Sequence, residues 1–394
     1  MKYLIYSGGE EMQYRTFFGQ EISRLGFGLM RLPVIDNDQS KVDYDKVEEM
    51  VLYAVEHGVN YFDTAFPYHN GYSEITFGEV MKKNNLRDKV LVATKLFTLG
   101  MDSPDYNPAK MFETQLERLQ TDHIDFYLMH GLHGDQWDTL KNKFDIKNYL
   151  KEQKAAGRIR HLGFSFHDSY EKFVEILNDF DEWEFAQIQY NYLDNEIQAG
   201  DAGVAFALEK GIPLTVMEPV KGGNLIFPNY PAIEEIKAKH GLADMSNAEL
   251  AFDYVYDNPG FMTVLSGMST LDQVKENIEI ADRSSIGMLT PEMKACTAEI
   301  KAFIAGIENI PCTGCRYCTP GCPMKIEIPM AFNFYNTGKK FNNPDAQKRG
   351  YERSCSNLKD CVECGQCVKA CPQHLNIPDI LYSIKSYVDT NVFI

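Results

Sequence analysis

Two cysteine runs constrain this chain more than any other feature. CTGCRYCTPGCP at 312–323 and CVECGQCVKACP at 361–372 use one spacing twice, C-x2-C-x2-C-x3-C-P. The first holds Cys312, Cys315, Cys318 and Cys322, the second Cys361, Cys364, Cys367 and Cys371. Each run reaches an Ile-Pro pair six residues after its last cysteine, in CPMKIEIPMAF and CPQHLNIPDIL. The start, MKYLIYSGGEEMQYR, is too poor in apolar residues for a secretory core. A cytoplasmic location is therefore expected, where thiols stay reduced and ten cysteines point to metal or redox use rather than disulfides.

The spacing is that of [4Fe-4S] ligands. Three thiolates at short intervals wrap one corner of a cubane, and the fourth, followed by proline, ligates the other cluster in two-cluster proteins. Two [4Fe-4S] clusters with exchanged ligands are expected: Cys312, Cys315, Cys318 and Cys371 on one, and Cys361, Cys364, Cys367 and Cys322 on the other. Structural zinc is the competing reading, but it favours paired C-x2-C knuckles over triplets ending in Cys-Pro. Cys296 and Cys355 fit neither run and read as ordinary thiols. PMAFNFYNTGK and PDILYSIKSYV have the pattern of short amphipathic helices. With them, the region resembles the α-helical ferredoxin module of succinate dehydrogenase iron-sulfur subunits more than the small β-rich ferredoxins.

Upstream, short apolar segments alternate with helical ones. The strand candidates are FGLMRL (27–32), VNYFDTA (59–65), VLVATKL (90–96), IDFYLMH (124–130), HLGFSF (161–166), FAQIQYN (185–191), PLTVMEP (213–219) and MTVLSGM (262–268). Between them lie segments such as YDKVEEMVLYAVEHG, apolar at three- and four-residue spacing and closed by Gly58. Eight strand-helix units are the repeat count of an α/β (β/α)8 TIM barrel. No glycine fingerprint follows the first strand, which disfavours a doubly wound sheet. The expected organisation is a barrel over 1–288 with an N-terminal extension at 1–11, a bridging helix within 289–310, and a small, mostly α-helical ferredoxin-like domain over 311–394.

A formal net charge of -17 disfavours nucleic acid and anionic membrane as partners. No apolar run approaches the ~20 residues that span a bilayer.

Barrel chemistry sits at the carboxyl ends of the strands. There the chain places Asp63, Lys95, His130, Ser165, Gln187, Gln189 and Glu218 in strand order. Any one of them is as readily a solvated strand end, and His133 reads as such a bystander. Asp63, Lys95 and His130 on neighbouring strands, with Tyr68 in the following loop AFPYHNG, form a set suited to carbonyl reduction. The Lys95 ammonium, held by Asp63, is expected to lower the Tyr68 pKa; His130 would orient the carbonyl, and Tyr68 would supply the proton.

These residues resemble the aldo-keto reductase family. FDTAFPYHNGYSE is similar to its second-strand signature, ATK carries Lys95 and FYLMH carries His130. The fusion to two cysteine runs resembles its ferredoxin-containing subfamily. The resemblance implies an oxidoreductase that reduces a small aldehyde or ketone, or oxidises the alcohol, with a tetrad of Asp63, Tyr68, Lys95 and His130. It also implies NADP or NAD across the barrel mouth. Ser165 and Gln187 match positions that hold the nicotinamide carboxamide, and Glu276 and Asn277 the pair that meets adenine. Phe166 stands where an asparagine is usual, and Met217 where many members stack a tyrosine on the nicotinamide. Gly267, Met268 and Gln273 stand where cations take the 2′-phosphate, and Lys275 is out of pattern. Lys221 and Gly222 in PVKGGNL are candidate pyrophosphate contacts.

Hydride moves two electrons and each cubane one. Three readings therefore remain open: a carbonyl reductase whose clusters are structural or serve a redox partner protein, an electron-transfer protein whose barrel has lost hydride chemistry, or a flavin linking the two, for which the sequence carries no signal.

Overall fold

In the computed structural model, which describes residues 11–228, 230–343, 348, 350–352 and 354–390, each of the eight strand candidates becomes a parallel strand of one closed barrel. An antiparallel hairpin precedes them, β1 (Tyr14–Phe17) and β2 (Gln20–Ser23), turned by Phe18 and Gly19 at positive φ. The hairpin falls outside the eight strand candidates; Gly19, the residue that frees its turn, is its clearest trace in sequence. Nearly all of the expected N-terminal extension, residues 1–10, lies outside the described residues.

The barrel strands are β3 (Leu25–Gly28), β4 (Tyr61–Asp63), β5 (Leu91–Leu96), β6 (Ile124–Leu132), β7 (Ile159–Phe166), β8 (Phe185–Gln189), β9 (Leu214–Met217) and β10 (Phe261–Gly267). They pair in chain order, and β10 closes on β3. The first strand is earlier and shorter than expected, because Leu29–Arg31 turns into a 3-10 segment after Gly28.

Side chains alternate across a strand with period two. Ile22, Tyr61, Ala93, Phe126, Leu128, Phe185 and Met262 form one inner cluster, distinct from the larger core beneath the helices. Two residues beyond Tyr61, Ala93, Leu128 and Phe185 stand Asp63, Lys95, His130 and Gln187, so apolar strand bases and polar strand ends share a face.

The first three helices are α1 (Tyr44–Glu56), α2 (Tyr72–Lys83) and α3 (Pro108–Leu119). Asp43 caps α1 by accepting from the Lys46 N–H. Asn107 caps α3 by accepting from the Lys110 N–H, with Pro108 in the first turn, where its missing N–H costs nothing.

Two compact units emerge, residues 1–222 with 248–290, and residues 223–247 with 291–394. In the second, the bridging helix runs Pro291–Gly306, and the two amphipathic helices run Ile328–Phe341 and Ile377–Thr390. Both Ile-Pro pairs open these helices, and Ile328 and Ile377 are buried in a core with Phe332, Tyr335, Leu381, Ile384 and Tyr387.

Candidate active site and cluster cavities

The barrel mouth is built strand by strand. Parallel pairing sets Asp63 opposite Ala93 and Lys95 opposite Leu128, which brings the ends of β4, β5 and β6 side by side. Lys95 Nζ donates to Asp63 Oδ1 at 2.5 Å and to the Thr64 carbonyl at 2.8 Å. Both partners are buried, Lys95 at 0% and Asp63 at 3% exposure. Burial works against the ammonium, but Asp63 and then Tyr68 outweigh it and hold the Lys95 pKa above its ordinary value.

Tyr68 opens the 3-10 turn Tyr68–Gly71 after β4, in which His69 and Asn70 both take left-handed backbone angles. His69 fixes the turn by accepting from the Leu32 N–H at 3.1 Å. The Tyr68 ring meets the His130 ring edge-on at 5.7 Å, and Lys95 Nζ stands 5.2 Å from its centroid.

Burial raises the Tyr68 pKa above 10.0, against the opposing pull of Lys95. The expected lowering is thus reversed: desolvation of the phenolate exceeds the attraction of the ammonium. Burial, followed by Lys95 and His167, lowers His130 to about 3. His130 is a neutral imidazole whose Nδ1 has no partner. A protonated phenol and a neutral imidazole, both beside a buried ammonium, are hydrogen-bond donors for a carbonyl oxygen.

Around the mouth, Ser165 Oγ accepts from the Gly131 N–H at 3.2 Å. Gln187 Nε2 lies 3.6 Å from Met217 Sδ, while its buried Oε1 has no partner. That orphan acceptor suits a carboxamide N–H, so these residues fit a nicotinamide. Gln273, Glu276 and Asn277 lie on the helix Leu271–Asp282 after β10. Gln273 Oε1 accepts from the Ser269 N–H at 2.7 Å, and buried Asn277 donates to Ser266 Oγ at 2.8 Å; Glu276 is exposed. Lys275 instead faces the Tyr53 ring.

Gly222 has positive φ, and a Cβ there would lie 3.1 Å from Arg31 Nη2. A Cβ on Gly267 would meet the Arg31 stem at 3.1 Å. Arg31, in the 3-10 segment that follows the first barrel strand, therefore packs beside both glycines and brings a guanidinium to the positions where no cation follows β10; its place in FGLMRL was the available signal. Lys221 is held by Asp194, which also accepts from Gln189 Nε2 and Asn191 Nδ2.

Other loop residues are packing groups. In the 132–140 segment, Trp137 is buried against Phe180 and Trp183 and donates to Asp179. Within the second unit, Phe227 meets the Tyr230 ring edge-on and the Phe341 ring at a tilt; Asn229 lies outside the described residues. His133 is exposed, with Nδ1 2.9 Å from the Gly131 carbonyl.

In the second unit the eight cysteines line two cavities. Cys312, Cys315, Cys318 and Cys371 line one, and Cys322, Cys361, Cys364 and Cys367 line the other. The fourth cysteine of each run thus faces the cavity of the other. Four thiol donors around each space fit an iron-sulfur cluster. Cys296 and Cys355 are buried elsewhere, and burial pushes both thiols up to about 11, where they are poor nucleophiles.

The aldo/keto reductase family profile matches residues 24–290. The chain belongs to that family. A 4Fe-4S dicluster profile matches residues 311–375, so this reductase also carries an iron-sulfur domain. Among its relatives, the uncharacterized oxidoreductase YqkF of Bacillus subtilis is 25% identical, covering 72% of this chain and 94% of its own. L-galactose dehydrogenase of Arabidopsis thaliana is 26% identical, covering 74% and 93%. A holo-form aldo-keto reductase of Bacillus halodurans superposes with a TM-score of 0.59 at 26% identity, covering 73% of this chain and 96% of that one. An aldo/keto reductase of Klebsiella pneumoniae in complex with NADP and acetate shares the fold, with a TM-score of 0.57 at 18% identity, covering 75% and 96%. The reductase is an oxidoreductase by family, and among its described residues no helix is long and apolar enough to cross a membrane.

Proposed function

We propose that the barrel reduces a small aldehyde or ketone with NADPH or NADH, using Tyr68 as proton donor. The buried Lys95–Asp63 ion pair beneath the Tyr68 ring, with neutral His130 at its edge, carries this reading. Tyr68 and His130 donate hydrogen bonds to the carbonyl oxygen and so orient the carbon. The reduced nicotinamide supplies hydride when bound. As the oxygen gains charge, Tyr68 gives it the phenolic proton, and Lys95 stabilises the phenolate left behind. Asp63 keeps Lys95 charged and aimed. The products are the alcohol and the oxidised nucleotide, and the reverse sequence oxidises an alcohol.

Ser165 and Gln187 would hold the carboxamide, with Met217 beside the ring. Glu276, Asn277 and Gln273 border the adenosine end, and Gly222, Lys221 and Arg31 the phosphates. Lys221 reaches a phosphate only by leaving Asp194, so Arg31 is the favoured cation.

In the second domain, Cys312, Cys315, Cys318 and Cys371 would hold one [4Fe-4S] cluster, and Cys322, Cys361, Cys364 and Cys367 the other. The clusters supply one-electron chemistry, for which a redox partner protein is the natural outlet. The test is NADPH-dependent reduction of 4-nitrobenzaldehyde by wild-type protein and by Tyr68→Phe. Turnover in the first and its loss in the second support the reading; equal turnover removes Tyr68 from the mechanism.

A further inference from the structure

Under the Tyr68 turn and the Lys95 strand lies a buried polar network that touches no reacting atom. Its centre is Glu74 on α2, a carboxylate at 0% exposure. Glu74 Oε1 accepts from Thr94 Oγ1 at 2.7 Å and Gln115 Nε2 at 2.9 Å, and its Oε2 accepts from Arg118 Nη1 at 3.0 Å. A buried carboxylate is tolerated only with such partners, and removing one of them is strongly destabilising.

The network reaches two backbone carbonyls. Arg118 Nη1 also donates to the Phe66 carbonyl at 3.1 Å, two residues before Tyr68. Gln115 Nε2 donates to the Lys95 carbonyl at 3.0 Å. Tyr127 OH donates to Gln115 Oε1 at 2.8 Å and fixes the direction of that amide. Gln115 and Arg118 stand three residues apart on α3, on one helix face. One rigid helix thus grips both segments that carry the candidate acid and its ammonium.

The approach is too close for side chains. A Cβ on Gly71, at φ +93, would sit 2.9 Å from Arg118 Nη2, and one on Gly78 would sit 2.2 Å from the Arg118 carbonyl oxygen. Arg118 also lies over the Phe66 ring, 4.2 Å from its centroid.

We propose that Glu74, Arg118 and Gln115 are positioning residues that hold the Tyr68 turn and the Lys95 strand at a fixed separation, through the Phe66 and Lys95 carbonyls. This rests on the reading of Tyr68 as proton donor. The network acts on geometry alone. Its loss lets the turn drift from the ammonium.

The test uses the cluster-loaded full chain, NADPH and 4-nitrobenzaldehyde, with Glu74→Gln, Arg118→Met and Arg118→Lys. An error of about 1 Å in such a site costs up to ~100-fold in rate. Glu74→Gln and Arg118→Met should lose about 10–100-fold in kcat with nucleotide Kd unchanged, and Arg118→Lys should recover part of the loss. ¹³C-labelled tyrosine, with the Tyr68 signal assigned through Tyr68→Phe, gives a readout independent of turnover. In Glu74→Gln and Arg118→Met that signal should titrate at higher pH than in wild type, because the ammonium is farther away. If Arg118→Met does not fold, as judged by its thermal melt, Glu74→Gln and Arg118→Lys decide. Wild-type kcat and titration in both, or lower kcat with an unmoved Tyr68 titration, would overturn the proposal. Failure of the reductase reading itself is distinct, because Tyr68→Phe would then keep wild-type turnover.

Discussion

Lys95 Nζ lies 2.5 Å from Asp63 Oδ1, with both side chains buried at the floor of the barrel mouth. A buried ion pair is fragile toward loss of one partner, which leaves the other charge uncompensated. Lys95→Met should therefore destabilise the barrel by about 3–5 kcal/mol, less whatever Asp63 recovers by taking up a proton. Thermal melts at pH 5 and pH 8 check this: the deficit should shrink at the lower pH, where protonating the stranded carboxyl is easier.

Tyr68→Phe removes one hydroxyl from a partly buried ring and should leave the fold intact. General-acid catalysis contributes typically ~10²–10⁴-fold, and carbonyl reduction should fall by about that factor. The visible absorption of the iron-sulfur domain should stay at the wild-type level, and both readouts come from one preparation.

The pH dependence follows from two shifted groups. Tyr68 is held above 10.0 by burial, so the donor stays protonated throughout the neutral range. His130, lowered to about 3, stays neutral. The kcat for reduction should be flat from about pH 6 to pH 9 and fall only as the phenol ionises above its ordinary range. A decline centred near pH 6.5 would mean that His130 titrates normally.

The same histidine bears on stability. A base buried in its neutral form contributes stability above its unfolded pKa, and that contribution is lost as pH falls toward the folded value. The unfolded value is 6.5 and the folded value about 3. From pH 6.5 downward His130 should remove up to about 1.4 kcal/mol per pH unit. His130→Gln should thus lose less stability than wild type between pH 6.5 and pH 5 in denaturant titrations.

Exchange of ligands between the cysteine runs has a spectroscopic signature. Cys371 shares a cavity with Cys312, Cys315 and Cys318. Cys371→Ser should lose about half of the iron and leave the same residual EPR spectrum as Cys312→Ser, because both lose one cluster. A residual spectrum matching that of Cys361→Ser would instead assign Cys371 to its own run.

The barrel was legible because strand identity depends on local apolar runs, and all eight candidates became strands. Their ends were less so: the first strand stops at Gly28, where the backbone turns before Arg31. Asp63, Lys95 and His130 were readable for the same reason, since each stands on the inward face toward the end of its own strand, whereas Tyr68 lies in the turn after β4. What stayed hidden was set by packing between elements. Glu74 closes the FDTAFPYHNGYSE stretch without a visible role, and Gln115 and Arg118 look like ordinary polar helix residues until α2 and α3 meet; the glycines at 71 and 78 hint at that approach. Arg31 escaped notice because its partners, Gly222 and Gly267, lie far off in sequence. The sign of the Tyr68 shift needed the depth of burial, which no spacing reveals.

Transfer of deuterium from NADPH, and in parallel NADH, carrying deuterium at both C4 positions, to 4-nitrobenzaldehyde tests the central claim most directly. The measurement is run anaerobically on cluster-loaded protein, with the alcohol analysed by mass spectrometry. Hydride transfer at the barrel mouth predicts one deuterium at the carbinol carbon for each nucleotide consumed, and its formation slowed by about 10²–10⁴-fold in Tyr68→Phe. Nucleotide oxidised with the clusters bleaching and no deuterated alcohol would contradict it, and would make the barrel an entry point for electrons rather than a carbonyl reductase.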